Sequence, residues 1–353
     1  MGLSAFDHPI LSGLFGDPEL AGLLAVEADI AAMVRFEIAL AAAQAECGVI
    51  PQDAAATIAA RLDGFAPDIA RLRDGVARDG VVVPELVRQL KAGLDPDSAS
   101  HLHFDATSQD VIDTSLVLRL REAALILDRR IEALDAAIGE IAARWGAHRL
   151  MGRTRMQDAL EIRVADRLAA WRMPLRRHRT RLAEMTGRVF VVQYGGAVGT
   201  LAKVGPEAPA VTAGLARRLG LDAPDRNWHS QRDRLVEFAD WLALVAGSLG
   251  KMGQDVALMA QAGGDEIRLS GGGGSSAMPH KQNPVGAEVL VSLARFAAGA
   301  SGTMAQALVH EQERSGAAWT LEWLVLPQLV LATGSALLLG QRLAESIEGI
   351  GQA

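Results

Sequence analysis

The chain has 353 residues, half of them hydrophobic, 22% charged and only 4% aromatic, with a formal net charge of −7 and a single cysteine, Cys47. That length can bury a large core and suggests more than one domain. The acidic balance excludes nucleic-acid binding by overall charge, and one cysteine excludes an intrachain disulfide framework or a cysteine-rich metal site. No basic-apolar-small leader opens the chain, so the cytoplasm is the expected location. Alanine and leucine dominate and aromatics are few, which favours helices over strands. Pro51, Pro67, Pro84 and Pro96 break the first hundred residues into short helical pieces, with residues 27–45 the clearest amphipathic stretch. This predicts a small N-terminal helical domain over residues 1–100.

The texture then changes. From 111 to 145, apolar residues recur in steps of three and four: Leu116, Leu120, Ala123, Leu127, Ile131, Leu134, Ile138, Ile141 and Trp145. That is one helical stripe without proline, a rod of roughly 50 Å at 1.5 Å per residue. Similar patterns run over 158–185, with a kink expected at Pro174, and over 228–259, 285–309 and 319–343. Five long helices with short connections predict an all-α, elongated long-helix bundle over residues 101–353. Stripes this long need more partners than one chain offers, which predicts an oligomer. No internal repeat supports a solenoid. Residues 323–341 carry no charge and approach the length of a membrane span, but Pro327, Gln328, Thr333, Gly334 and Ser335 interrupt them. A helix buried within the bundle is expected there, not a membrane segment.

Three polar elements lie between these stripes. The first, HLHFDATSQD at 101–110, ends in Thr107 with Asp110 three residues later, a pattern suited to capping a helix N-terminus. His101 and His103 are spaced for no metal site and are expected at the surface. The second, GRTRMQD at 152–158, reads on structural grounds as a polar turn between long helices. Arg176, Arg181 and most arginines that follow it read as a solvated face. The third, GGGGSSAMPHKQNP at 271–284, carries four glycines that suit a moving loop, then Ser275, Ser276, Lys281 and Asn283. Asn283-Pro284 has the form of an N-cap followed by proline at the first helical position. A donor-rich loop feeding a helix N-terminus is suited to holding an anion.

The third element resembles the signature GSSxMPxKxNP of the fumarase/aspartase superfamily, matched at each fixed position from Gly274 to Pro284. TSQDVIDT resembles the superfamily's first substrate-binding element, and Thr154 and Gln157 match its GxTxxQ element. The cycloisomerase branch, which lactonises 3-carboxy-cis,cis-muconate, resembles the chain further: in QYGGAVGT at 193–200, WHSQRD at 228–233 and HEQERSGAAWTLEW at 310–323. The resemblance implies a catalytic Ser275 assisted by Lys281. It implies a substrate-binding set of Thr107, Ser108, Gln109, Thr154, Arg155, Gln157, Ser276, Met278, Asn283 and Arg314, with Trp319 and Trp323 nearby but chiefly packing the core. It also implies a small polyanionic substrate, no metal or organic cofactor, and a homotetramer whose sites are shared between subunits. Relatives carry a further C-terminal helical domain, expected to be absent here.

One departure is informative. Fumarases, argininosuccinate lyases and adenylosuccinate lyases place a histidine acid where this chain has Arg155, a side chain that is always protonated near neutral pH. Amine or hydroxide leaving groups need a proton, and such general-acid help contributes ~10²–10⁴-fold. A carboxylate, whose conjugate acid has a pKa of about 4, does not. The position is free to grip an extra anion, carboxylate or sulfonate, at carbon 3 of a muconate. The missing histidine argues against the alternative, adenylosuccinate lyase, although that loop is similarly written. Ser275, Lys281 and Asn283 argue against a catalytically silent scaffold.

Overall fold

The computed structural model describes residues 4–261, 266–274, 278 and 282–353. Short helices occupy the N-terminal part: α1 (Ser12–Phe15), α2 (Pro18–Leu23), α3 (Val26–Glu46), α4 (Gln52–Leu62), α5 (Ile69–Asp79), α6 (Val83–Ala92) and α7 (Pro96–His101). Pro18, Pro84 and Pro96 sit in first turns, where the missing N–H has no intrahelical partner to lose. α3 is the longest of the set and lies against both α8 (Ser108–Trp145) and α10 (Ala208–Leu219). The remaining helices are α9 (Val164–Val189), α11 (Asp233–Met259), α12 (Val285–Gln306) and α13 (Ala317–Glu345).

Cross-helix bonds set the directions. Arg179 and Arg172 of α9 reach Asp128 and Asp135 of α8, so α9 runs back along it. Trp171 Nε1 donates to Asp255 at 2.7 Å and Trp241 Nε1 to the His178 carbonyl at 2.9 Å, so α11 reverses again. Gly250 and Gly253 of α11 abut Ala294 and Ala287 of α12, while Gly340 of α13 meets Leu134 of α8 and Leu249 of α11. Thus α8, α11 and α13 point one way, α9 and α12 the other. The five long helices form the expected bundle. α13 is long and apolar enough to cross a membrane, yet 61% of its most apolar window is buried within the protein.

Two expectations need correction. Residues 158–163 are not the start of a helix. They form strand β2 (Gln157–Arg163), paired antiparallel with β1 (Arg149–Thr154), and Leu150 faces Ile162 in the register. Arg155 and Met156 turn the chain with φ of 49° and 66°, the left-handed pair that suits a two-residue hairpin. α9 therefore begins only at Val164, and it runs on through Pro174. Its arginines are also not merely solvated. Arg172 and Arg176 share Asp135, at 2.8 and 3.0 Å, and Arg179 spans Asp128 and Glu132, both at 2.9 Å. Exposed pairs like these contribute ~0–1 kcal/mol each, so they orient α9 on α8 more than they stabilise it.

Close approach of α11 and α12 depends on missing side chains. A Cβ at Gly253 would lie 2.5 Å from the Ala287 carbonyl oxygen and 2.7 Å from Leu290 Cβ. Alanine favours a helix by about 1 kcal/mol over glycine, but overpacking a fitted contact costs about 1–3 kcal/mol. Gly253→Ala should therefore destabilise the protein, read as a lower urea midpoint. An unchanged or higher midpoint would mean that the two helices can separate freely.

Candidate active site

The start of α8 is the best-defined polar site. Thr107 is extended, and Asp110, three residues on, accepts its backbone N–H at 3.0 Å, as the spacing suggests. The same carboxylate accepts from the amides of Gly195 and Gly196 at 2.9 and 3.0 Å, and His229 Nε2 lies 2.7 Å away. Asp110 is fully buried, so these charge-assisted bonds replace the water it has lost. Gly195 leaves no room for a side chain, since a Cβ there would lie 2.7 Å from Asn227 Cβ and 2.9 Å from His229 Cε1. Gly196 has φ of 67°. The glycine pair of QYGG is thus read by one carboxylate.

Arg314 is anchored to this frame. Its Nε donates to Gln109 Oε1 at 3.1 Å and its Nη2 to the Ala197 carbonyl at 3.0 Å, while Gln109 Nε2 donates to the His229 carbonyl at 2.8 Å. Among the described residues no carboxylate pairs with Arg314, and the residue is exposed. A guanidinium with neutral partners, beside the amide end of a 38-residue helix, is a natural anion site. Thr107 and Ser108, both partly exposed, stand at the same helix start.

One turn deeper lies a charged core. Arg232 Nη1 and Nη2 donate to Asp113 at 2.6 and 3.0 Å, and its Nε and Nη2 to Glu322 at 2.7 and 2.6 Å. All three side chains have zero exposure. Burial alone would lower the guanidinium pKa, but Asp113 and Glu322 outweigh it and hold the pKa up. Trp228 stacks on the cation at 4.8 Å, and Trp319 Nε1 donates to Asp113 at 3.0 Å. Trp319 therefore packs the core, as expected, and also ties α13 to α8. Trp323 meets its ring edge-on at 4.8 Å.

The segment before α8 is strained and pinned. His103 and Asp105 have φ of 62° and 49°. Gln44 of α3 donates to the Phe104 carbonyl at 2.7 Å, and Asp105 accepts from the amides of Lys203 and Val204 at 2.9 and 3.2 Å. His103 is not the surface residue expected. Its Nδ1 lies 2.6 Å from Glu37, whose side chain is fully buried.

The other sequence-flagged residues lie elsewhere. Thr154 and Gln157 are partners at the tip of the β1–β2 hairpin, with Arg155 in its turn, and all three are exposed. Arg153 bonds Glu266, and Arg149 bridges to Gln352. The hairpin thus sits beside strands β3 (Ile267–Leu269) and β4 (Ile347–Ile350), at the end where α8 finishes. Asn283 exchanges two backbone bonds of 2.9 Å with Gly273. It is not the helix cap, because Pro284 takes that position and α12 starts at Val285. Met278 is exposed. Ser275, Ser276 and Lys281 lie outside the described residues. Thr107, Ser108, Gln109 and Arg314 are therefore together at one end of α8, and Thr154, Arg155, Gln157 and Asn283 are near the other, about 57 Å away along 38 residues. One chain does not unite them.

Known proteins share this fold. A family profile described as Lyase matches residues 21–299. The chain is 43% identical to the 3-carboxy-cis,cis-muconate cycloisomerase of Pseudomonas aeruginosa, over 90% of this chain and 70% of that protein. It is 38% identical to the cycloisomerase of the same name from Bradyrhizobium diazoefficiens, over 96% and 77%. The crystal structure of the 3-carboxy-cis,cis-muconate lactonizing enzyme from Pseudomonas putida superposes with a TM-score of 0.90 at 37% identity, covering 96% of this chain and 77% of that one.

The His103–Glu37 contact makes stability pH-dependent. Burial opposes the imidazolium, but the nearby Glu37 carboxylate prevails and the His103 pKa is raised. A group raised in the folded state stabilises fully below its unfolded pKa of about 6.5, and that contribution disappears as pH climbs through the folded value. Urea denaturation across pH 6 to 9 should show the wild type losing stability that His103→Gln does not lose. Parallel curves would refute the pairing.

Proposed function

Because the chain belongs to the fumarase/aspartase superfamily of lyases, on the branch of the 3-carboxy-cis,cis-muconate cycloisomerases, we propose that it lactonises 3-carboxy-cis,cis-muconate or a 3-substituted analogue such as 3-sulfomuconate. The observation that carries this reading is Arg314, a cation whose partners among the described residues are all neutral, held against the α8 N-terminus. It matches a substrate with several carboxylates and no need of a leaving-group acid. Adenylosuccinate lyase chemistry is disfavoured by Arg155 and by the run of cycloisomerase relatives.

In the proposed reaction, an oxygen of one substrate carboxylate forms a C–O bond to the conjugated diene. The π electrons move onto the carbon beside a second carboxylate, which becomes an enediolate. The Ser275 hydroxyl gives its proton to that carbon, closing the lactone, and solvent later restores the serine. Lys281, Asn283, Thr107 and Ser108 are the candidates to neutralise the enediolate. Each such donor contributes ~3–4 kcal/mol, or ~10²–10³ in rate. Lys281 and nearby amides also lower the serine's pKa enough for it to exchange a proton. Arg155, Thr154 and Gln157 would grip the substituent at carbon 3.

We infer a cytoplasmic homotetramer in which each site combines the α8 start of one subunit with the hairpin and glycine-rich loop of others. The separation of about 57 Å within one chain supports that reading, because it keeps Thr107, Ser108 and Arg314 apart from Thr154, Arg155 and Gln157 of the same chain.

Loss of the diene's ultraviolet absorbance measures turnover directly. Wild type should bleach 3-carboxy-cis,cis-muconate or 3-sulfomuconate, and Ser275→Ala should reduce kcat at least ~10³-fold with substrate still bound. Bleaching of neither compound would end the assignment, and an active Ser275→Ala would move the proton transfer to another group. Mixing subunits tests the shared site. Ser275→Ala and Arg314→Met, each nearly inactive alone, should regain a fraction of wild-type activity after joint refolding, because some mixed sites receive neither lesion. No recovery would confine the site to one chain.

A further inference from the structure

Gln109 stands among the residues expected to bind substrate, yet it is fully buried. Both ends of its amide are committed. Oε1 accepts from Arg314 Nε at 3.1 Å, and Nε2 donates to the His229 carbonyl at 2.8 Å. The amide cannot turn over, because a guanidinium only donates and a carbonyl only accepts. Asp110 fixes what surrounds it, bonding His229 Nε2 and the amides of Gly195 and Gly196. The carbonyls of Gly196 and Ala197 then accept from Arg314 Nη2 at 3.4 and 3.0 Å.

Nε and Nη2 form one edge of the guanidinium, and this frame engages both. Among the described residues Nη1 has no partner, so the end made by Nη1 and Nη2 is the one left to receive a ligand. That end carries two parallel N–H groups, the fork that a carboxylate accepts bidentately. We propose that Gln109 is a positioning residue: it does not touch substrate, but sets the guanidinium so that the Nη1–Nη2 end of Arg314 engages one substrate carboxylate. Without the Gln109 bond, Arg314 keeps its charge and loses its direction. This rests on Arg314 binding substrate in the cycloisomerase reading.

Steady-state kinetics of wild type, Gln109→Met, Arg314→Lys and the double variant test it. Methionine fills a similar space without either hydrogen bond, and a lysine ammonium keeps the charge but has no planar end to orient. Gln109→Met should raise KM roughly tenfold with kcat within about threefold, and Arg314→Lys should raise KM by a similar factor. The double variant should lie within about twofold of Arg314→Lys, because both changes remove one and the same interaction. Losses that multiply in the double variant would overturn the proposal, since Gln109 would then act on substrate or on the fold independently of Arg314. A wild-type KM in either single variant would also overturn it. If circular dichroism finds Gln109→Met unfolded, Gln109→Asn, with a shorter reach, takes its place in the cycle. Should that unfold too, the exposed Arg314→Lys decides by its KM alone. Inactive wild type would instead sink the cycloisomerase reading. The same cycle would then be read from the dissociation constant of tricarballylate by calorimetry, with the same ratios required, and a wild type that does not bind it would overturn the proposal.

Discussion

A guanidinium held between two carboxylates, with water excluded, is the constraint on which the rest of this molecule turns. Arg232 caps the start of α11, Asp113 lies in the second turn of α8, and Glu322 lies in the second turn of α13. One charge cluster thus joins the starts of the three helices that run in the same direction. Removing Arg232 would leave two buried carboxylates without their counter-charge, a loss that typically costs about 3–5 kcal/mol. The three starts cannot drift apart one at a time. Asp110 stands less than one turn before Asp113 and gathers the glycine pair and His229, so the rigidity passes outward to Thr107, Ser108 and Arg314.

The bundle also separates its polar equipment into two stations. At one end, a helix N-terminus and an unpaired arginine are held by buried charges and backbone amides. At the other, a hairpin and two short strands gather around the end of α8, held by exposed ion pairs and backbone bridges. The first station is stiff because its supports are dry. The second meets water at most positions and owes its shape to turn geometry. An enzyme that must fix a charged substrate gains from having both kinds of support.

Much of this is legible in the sequence, for identifiable reasons. Long stripes of leucine and isoleucine at three- and four-residue steps define the five helices, because nothing else accounts for that spacing over nearly forty residues. The α8 start is legible because Thr107 and Asp110 stand at capping distance. The hairpin is not, since Arg155-Met156 lacks the asparagine or glycine that ordinarily announces a two-residue turn. Nor are the roles of His229, Arg232, Asp113 and Glu322. The motifs that contain them do not say which partner neutralises each charge ninety or more residues away. His103 misleads for the same reason: Glu37, its partner, belongs to a distant helix. Asn283 misleads because Pro284 can occupy the cap itself once the preceding residue is tied to Gly273.

The hairpin has one more implication. Met156 and Leu160 are 71% and 78% exposed, and the turn holds two bulky side chains in a backbone conformation that costs ~1–2 kcal/mol per residue. Its tip contributes almost nothing to the interior, so exchanges there leave the scaffold's folding intact and can even relieve strain. New side chains at this protrusion cost the fold little, whereas at the dry end they would meet buried charges. Under the proposed function, these few outward-facing positions are where substrate preference can change at least cost to the scaffold.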